Sequence, residues 1–257
     1  MKTMLITGSS TGIGAATARR AVKAGYRVAL AARSKDKLDG LVAELGEDKS
    51  LALACDVQDF AAQQAMVAAV LDRFGSLDAV FANAGLGAKG TGTAGGDVEN
   101  WREMVLTNVL GLMFTVKATH DAVVAAKGQY LLTGSVAGRK VLPGSVYGAT
   151  KWAVTGYGYN LREEMREKGV KVTLIEPGMV DTPFFDEPKP NALTPDDIAG
   201  AVLYALSQPD NVMAGRESGS SRSIVEGGRR YLAIAASDSL SSAFSIAPTA
   251  SASSSMS

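Results

Sequence analysis

Ser135, Tyr147 and Lys151 follow one another with a spacing that suits proton transfer to a carbonyl oxygen. Tyr147 and Lys151 lie four residues apart on a predicted helix, so their side chains share a face. Small residues separate them, in Tyr147-Gly148-Ala149-Thr150-Lys151, and keep the pair accessible. Hydride transfer to a ketone leaves an alkoxide that needs a proton, and oxidation of an alcohol needs the reverse. A free phenol has a pKa near ~10, too high for an efficient base at neutral pH. A neighbouring ammonium favours tyrosinate and is expected to lower that value. Ser135 can donate a hydrogen bond to the substrate oxygen and orient it. A Tyr-x3-Lys pair alone also occurs on solvated helix faces, so its weight depends on what accompanies it. His120 is the sole histidine, which leaves no Ser-His-Asp triad and no histidine-based metal site; no metal is expected.

A second signal stands near the N-terminus, in Thr7-Gly8-Ser9-Ser10-Thr11-Gly12-Ile13-Gly14. A short apolar run precedes it and an Ala-rich helical stretch follows. Glycines there allow a tight turn and let the backbone approach a pyrophosphate, while the helix start offers free N–H groups and the positive end of a dipole. A glycine-rich turn that binds nothing is the alternative, made weaker by the position directly after a strand. The spacing is Gly-x3-Gly-x-Gly. With it the chain resembles the short-chain dehydrogenase/reductase family, whose Thr-Gly-x3-Gly-Ile-Gly turn it matches residue for residue, and the resemblance extends over about residues 2–210.

That resemblance implies a dinucleotide held by Gly8, Ser10, Thr11, Gly12, Ile13 and Gly14. In the family the aspartate matching Asp56 and its neighbour, Val57 here, contact the adenine, although Asp56 also reads as a loop or capping residue. Asn83-Ala84-Gly85 matches the Asn-Ala-Gly signature, in which the asparagine mainly stabilises the central sheet and the next backbone lies beside the cofactor. Asn108 matches the asparagine that helps hold a relay water near the lysine; it reads equally as a polar residue kinking a core helix. Lys151 would also bind the nicotinamide ribose. Pro177, Gly178 and Val180 match the segment that passes the nicotinamide, with Thr182 a candidate contact to its carboxamide or else a turn threonine. The second strand ends in Leu30-Ala31-Ala32-Arg33-Ser34, without the carboxylate that would hold a ribose 2′-hydroxyl and repel a phosphate. Arg33 supplies a cation instead, and similar family members with arginine there prefer NADP(H) over NAD(H).

These groups need a scaffold. Short apolar runs at 4–6, 27–31, 51–54, 79–82, 129–132 and 171–175 read as buried strands. Helical stretches at 12–24, 35–45, 61–74, 101–126 and 146–167 alternate with them. Repeated β-then-α order gives an α/β fold, a doubly wound, Rossmann-like parallel sheet with helices on both faces in one domain. Ser135 then ends the fifth strand, at the sheet edge where such folds bind ligands. Gly25, Gly128 and Gly169 read as helix stops, and Thr194 before Pro195 as an N-cap. Six glycines between residues 85 and 96 predict a mobile loop. Residues 1–213 are expected to form the NADP(H)-binding oxidoreductase domain. Residues 214–257 form an atypical tail: 14 serines fall among the last 42 residues, a composition that reads as flexible, with 231–236 apolar enough to dock.

The 257 residues suit one domain, and 46% apolar content supplies a core. A net charge of zero gives no footprint for nucleic acid or an anionic membrane. One cysteine, Cys55, and no signal or membrane segment point to the cytoplasm. His120 reads as a surface or interface residue, Cys55 as a small buried one, and Trp101 and Trp152 as helix-packing residues. Leu86, 136–146 and 179–185 are expected to form the substrate pocket, with Val141, Leu142, Met179, Phe184 and Phe185 apolar and Arg139 or Lys140 possible anchors for an acid. This favours a small ketone, aldehyde or alcohol as partner. By resemblance, a homodimer or homotetramer forms through the two long helices. A silent NADP(H)-binding sensor or scaffold, and a lyase or epimerase on the same fold, are the alternatives.

Overall fold

The computed structural model describes residues 1–185, 187–209, 212–214 and 230–232. The elements run β1 (Thr3–Thr7), α1 (Gly12–Lys23), β2 (Arg27–Ala32), α2 (Lys35–Leu45), β3 (Ser50–Ala54), α3 (Phe60–Phe74) and β4 (Ala79–Ala82). Then come α4 (Val98–Met104), a π-helical stretch (Val105–Gly111), α5 (Leu112–Ala125), β5 (Gln129–Thr133), α6 (Val146–Arg166), β6 (Lys171–Ile175) and α7 (Pro195–Ser207).

Six strands form one parallel sheet in the order β3-β2-β1-β4-β5-β6. Parallel strands are buried on both faces, which is why β1, Thr-Met-Leu-Ile-Thr, is inaccessible along its whole length. Alternation still sorts its side chains. Leu5 joins one core with Val67 of α3, Val116 of α5 and Leu161 of α6, while Met4 and Ile6 join the other with Ala18 of α1, Leu38 of α2 and Val202 of α7. Strand order reverses beside β1, between β2 and β4, and opens a crevice at the carboxyl edge.

Three details differ from the sequence reading. The stretch expected as one helix at 101–126 starts at Val98, capped by the Asp97 side chain on Asn100 N at 3.0 Å, and widens into the π stretch before α5. At the end of α5 the left-handed residue is Lys127, at φ 46°, not Gly128. Gly128 is needed for another reason: a Cβ there would collide with the Asp78 carbonyl oxygen. Finally, the stretch read as a flexible tail holds a strand, β8 (Arg230–Leu232), which pairs with β7 (Val212–Ala214) in a separate two-stranded sheet. The rest of the Ser-rich tail lies outside the described residues.

Candidate active site

A cavity of about 350 Å³ runs along the carboxyl edge of the sheet, from Arg33 at the β2 exit to Tyr147 on α6. One end is backbone. Gly8 and Gly12 sit at φ +65° and +55°, where side chains are strained, and a Cβ on Gly14 would fall 2.8 Å from Ser9 Cα. Thr11, the N-cap of α1, makes no side-chain capping bond, and so leaves the first-turn N–H groups uncapped from its own side. Thr11, Gly12 and Ile13 line the cavity with Gly8 and Ser10, whereas Gly14 packs behind them.

Arg33 is exposed and lines the same cavity, as do Asp56 and Val57. Asp56 also accepts a hydrogen bond from Gln58 N at 3.0 Å, so the loop role is real as well. Asn83 ties strands together. Its amide donates to the carbonyls of Thr7 (3.1 Å) and Gly8 (3.2 Å), and its N–H donates to Thr7 Oγ1 (3.0 Å). Ala84 and Gly85 follow it along the wall.

The other end is made of side chains. Lys151 is buried, its ammonium donates to the Thr133 carbonyl at 2.8 Å, and it lies 5.8 Å from the Tyr147 ring centre. Burial depresses its pKa to about 8. Burial raises the Tyr147 phenol above its ordinary value, against the opposing effect of a hydrogen bond with Ser135. The expected lowering of this pKa is therefore not found in the protein alone. Desolvation of the phenolate outweighs the opposing contact, and the Lys151 ammonium donates its hydrogen bond to the Thr133 carbonyl instead. Ser135 caps its own turn, accepting from Ala137 N at 3.1 Å. Asn108 falls inside the π stretch. It grips Leu86 like a strand partner, accepting from its N–H (2.9 Å) and donating to its carbonyl (3.0 Å), and donates to Thr150 Oγ1 (3.2 Å). It stands behind the cavity wall. Pro177, Gly178, Val180 and Thr182 complete the lining. Thr182 accepts from Phe184 N at 3.4 Å, as a turn threonine does.

Phe184 and Phe185 line the crevice, and Phe184 meets Tyr147 edge-on with ring centres 5.7 Å apart. Val141, Leu142 and Met179 do not line it; Val141 is 87% exposed because its segment turns outward after the Ser135 turn. Arg139 is paired with Glu176 at 2.8 Å and Lys140 is exposed, so neither serves as an acid anchor in the lining. His120 on α5 bonds its neighbour Asp121 and Lys168, just past α6, away from the crevice. Cys55 lines it as a buried thiol pushed up to about 11 by burial. Trp101 packs over Gly96, but Trp152 is half-exposed, contrary to the packing role expected of it.

One positioning residue escaped the sequence reading. Buried Asn100 accepts from Lys89 N (2.7 Å) and donates to the Gly87 carbonyl (3.1 Å), so with Asn108 it orders part of the glycine-rich loop. Its signal was a short amide in the first turn of a helix facing a loop whose backbone groups lacked partners.

The short chain dehydrogenase family pattern matches residues 2–192. A serine 3-dehydrogenase of Agrobacterium fabrum is 37% identical over 225 residues, 82% of this chain and 90% of its own. An alcohol dehydrogenase of the archaeon Thermococcus sibiricus, solved with 5-hydroxy-NADP, superposes with a TM-score of 0.76 at 32% identity, covering 91% of this chain and 96% of its own. A 3-ketoacyl-(acyl-carrier-protein) reductase of Brucella melitensis, solved with NADH, gives 0.76 at 27% identity over 80% of this chain and 90% of its own. With the glycine turn and the Ser135–Tyr147–Lys151 cluster meeting in one crevice, the chain belongs to the short-chain dehydrogenase family of oxidoreductases.

Proposed function

We propose that this protein is an NADP(H)-dependent oxidoreductase that interconverts small carbonyl compounds and alcohols, with Tyr147 as general acid and base. The observation that carries the reading is the convergence of Ser135, Tyr147 and Lys151 on the cavity that also holds the glycine turn. What supports a dinucleotide is the cradle itself: a turn whose glycines take positive φ or pack against neighbouring backbone, and helix N–H groups that the Thr11 side chain does not cap. When bound, the cofactor supplies or accepts the hydride. Ser135 donates to the substrate oxygen and Tyr147 moves the proton at that oxygen. Lys151 holds the ribose and lends its charge to the phenol, and Asn108 holds the Leu86 backbone beside them. Arg33 favours a 2′-phosphate, since no carboxylate ends β2.

Among the described lining residues near Tyr147, Leu86, Pro183, Phe184 and Phe185 are apolar, and Lys151 is the only cation there. That lining favours an apolar ketone or aldehyde over an amino acid such as serine. Further parts of the proposal are a domain spanning residues 1–213, assembly as a homodimer or homotetramer through α5 and α6, and residence in the cytoplasm. None of the described helices is long and apolar enough to cross a membrane. The test follows NADPH absorbance against a panel of ketones and aldehydes, with serine and NADP⁺ as a separate arm. Turnover of apolar carbonyls that Tyr147→Phe abolishes is expected. NADH preferred over NADPH, or turnover surviving in that variant, would refute the corresponding assignment.

A further inference from the structure

Ser135 stands outside the regular sheet. β5 ends at Thr133, and the chain turns at once, with Gly134 N donating to the Leu132 carbonyl at 3.0 Å. Sheet register therefore does not fix the serine hydroxyl. What lies against it is the exit of β6: Ser135 Oγ reaches the Pro177 carbonyl at 3.4 Å, and Val136 N donates to the same oxygen at 3.0 Å. Pro177 itself has no N–H with which to join a ladder. Both bonds converge on one carbonyl, and a further contact braces the two exits beside it.

That contact is an ion pair of two residues flanking these segments. Arg139, at the end of the turn that Ser135 starts, donates from Nε and Nη2 to the two carboxylate oxygens of Glu176, at 2.8 and 3.1 Å. Thr155 on α6, one turn beyond Lys151, donates to Glu176 Oε1 at 3.3 Å. The Arg139 guanidinium also lies 5.0 Å over the ring of Tyr159 on the same helix. Ser135, its turn, Arg139, Glu176 and Pro177 thus form a closed ring, and Thr155 and Tyr159 fasten that ring to the helix bearing Tyr147 and Lys151. Glycine makes the approach possible: a Cβ on Gly134 would lie 2.9 Å from Glu176 Cγ, and one on Gly138 2.8 Å from Thr155 Oγ1. A two-pronged guanidinium–carboxylate bond fixes orientation as well as distance, which a lysine could not do.

We propose that the Arg139–Glu176 pair is a positioning unit that holds the Ser135 hydroxyl against Tyr147. The proposal rests on the reading of Ser135 and Tyr147 as working partners and goes beyond it, since neither Arg139 nor Glu176 lines the cavity.

Two variants test it. Arg139→Lys keeps the charge and loses the fork; R139M/E176M removes both charges and leaves neither unpaired. Each is made in the parent and in Ser135→Ala, with kcat, NADPH affinity by fluorescence, and Tyr147 ionisation by difference absorbance against Tyr147→Phe. Expected are a loss of kcat of about 10–100-fold in the parent, an NADPH affinity within twofold, and little further loss in the Ser135→Ala background. Tyr147 ionisation should move upward in each variant, and likewise in Ser135→Ala. Equal losses in the two backgrounds, or an unmoved Tyr147 titration, would overturn the proposal. If R139M/E176M does not fold, Arg139→Lys decides. If the parent turns over no carbonyl, the functional reading fails, and the tyrosine titration still decides this one.

Discussion

At the β1–α1 turn the crevice presents backbone, held by two left-handed glycines and a helix start that its N-cap side chain leaves open. At the β5–α6 end it presents side chains held by other groups: Tyr147 against the Phe184 ring and Lys151 by the Thr133 carbonyl, with Asn108 gripping Leu86 behind them. The contrast matches what the proposed function asks of each end. Binding a phosphate needs many weak donors at fixed positions, which backbone supplies without side-chain entropy. Moving one proton needs a single group of tuned pKa at one place, and a second layer must hold it there. Other helices underline the point. Asp59, Asp97, Ser145 and Thr194 close the starts of α3, α4, α6 and α7 with their own side chains, and Thr194 does so with a full capping box. Thr11 is a good capping residue by type and leaves α1 open.

If the two ends divide the work in this way, changes at each should separate chemistry from binding. Tyr147→Phe should give the largest effect, a loss of kcat of roughly 10³-fold or more, with NADPH affinity within twofold. Stopped-flow turnover and fluorescence titration check it, and a large loss of affinity would break the division. Gly14→Ala should do the reverse. Its Cβ has no room against Ser9, so the turn must shift, and NADPH should bind at least about tenfold more weakly while the melting temperature falls. Arg33→Asp should change the ratio of kcat/KM for NADPH over NADH by about 10–100-fold toward NADH, with kcat nearly constant. The smallest effect is in pH. Lys151 carries its charge below a pKa of about 8 and loses it above. The kcat/KM for NADPH should therefore fall about fourfold between pH 7 and 8.5, and the limb should vanish in Lys151→Met. A flat parent profile would mean that the lysine charge does not serve this end.

Much of this was legible beforehand because it depends on local rules. Period and composition fixed α2 and the β4 and β6 strands to the residue, and the Thr194–Pro195 start of α7 followed from capping chemistry. The tyrosine and lysine announced themselves through helical spacing. Other parts were not legible. Nothing in the order of residues says that Arg139 is spent on Glu176, 37 positions away, or that Val141 faces solvent. Gly128 looked like a helix stop, and the Asp78 carbonyl that explains it lies 50 positions away in sequence. The π stretch around Asn108 also left no mark, because one extra residue per turn is decided by what the helix packs against.

The amino-acid order by itself determined the layered architecture, the glycine turn after β1 and the candidate reactive groups, since each follows from backbone geometry and spacing within one or two elements. Tertiary structure alone decided which charges neutralise one another, which apolar residues reach the crevice, and where the phenol pKa lies. Those properties arise where segments distant in sequence meet and exclude water, and the energies of hydrogen bonds and charges depend on that exclusion.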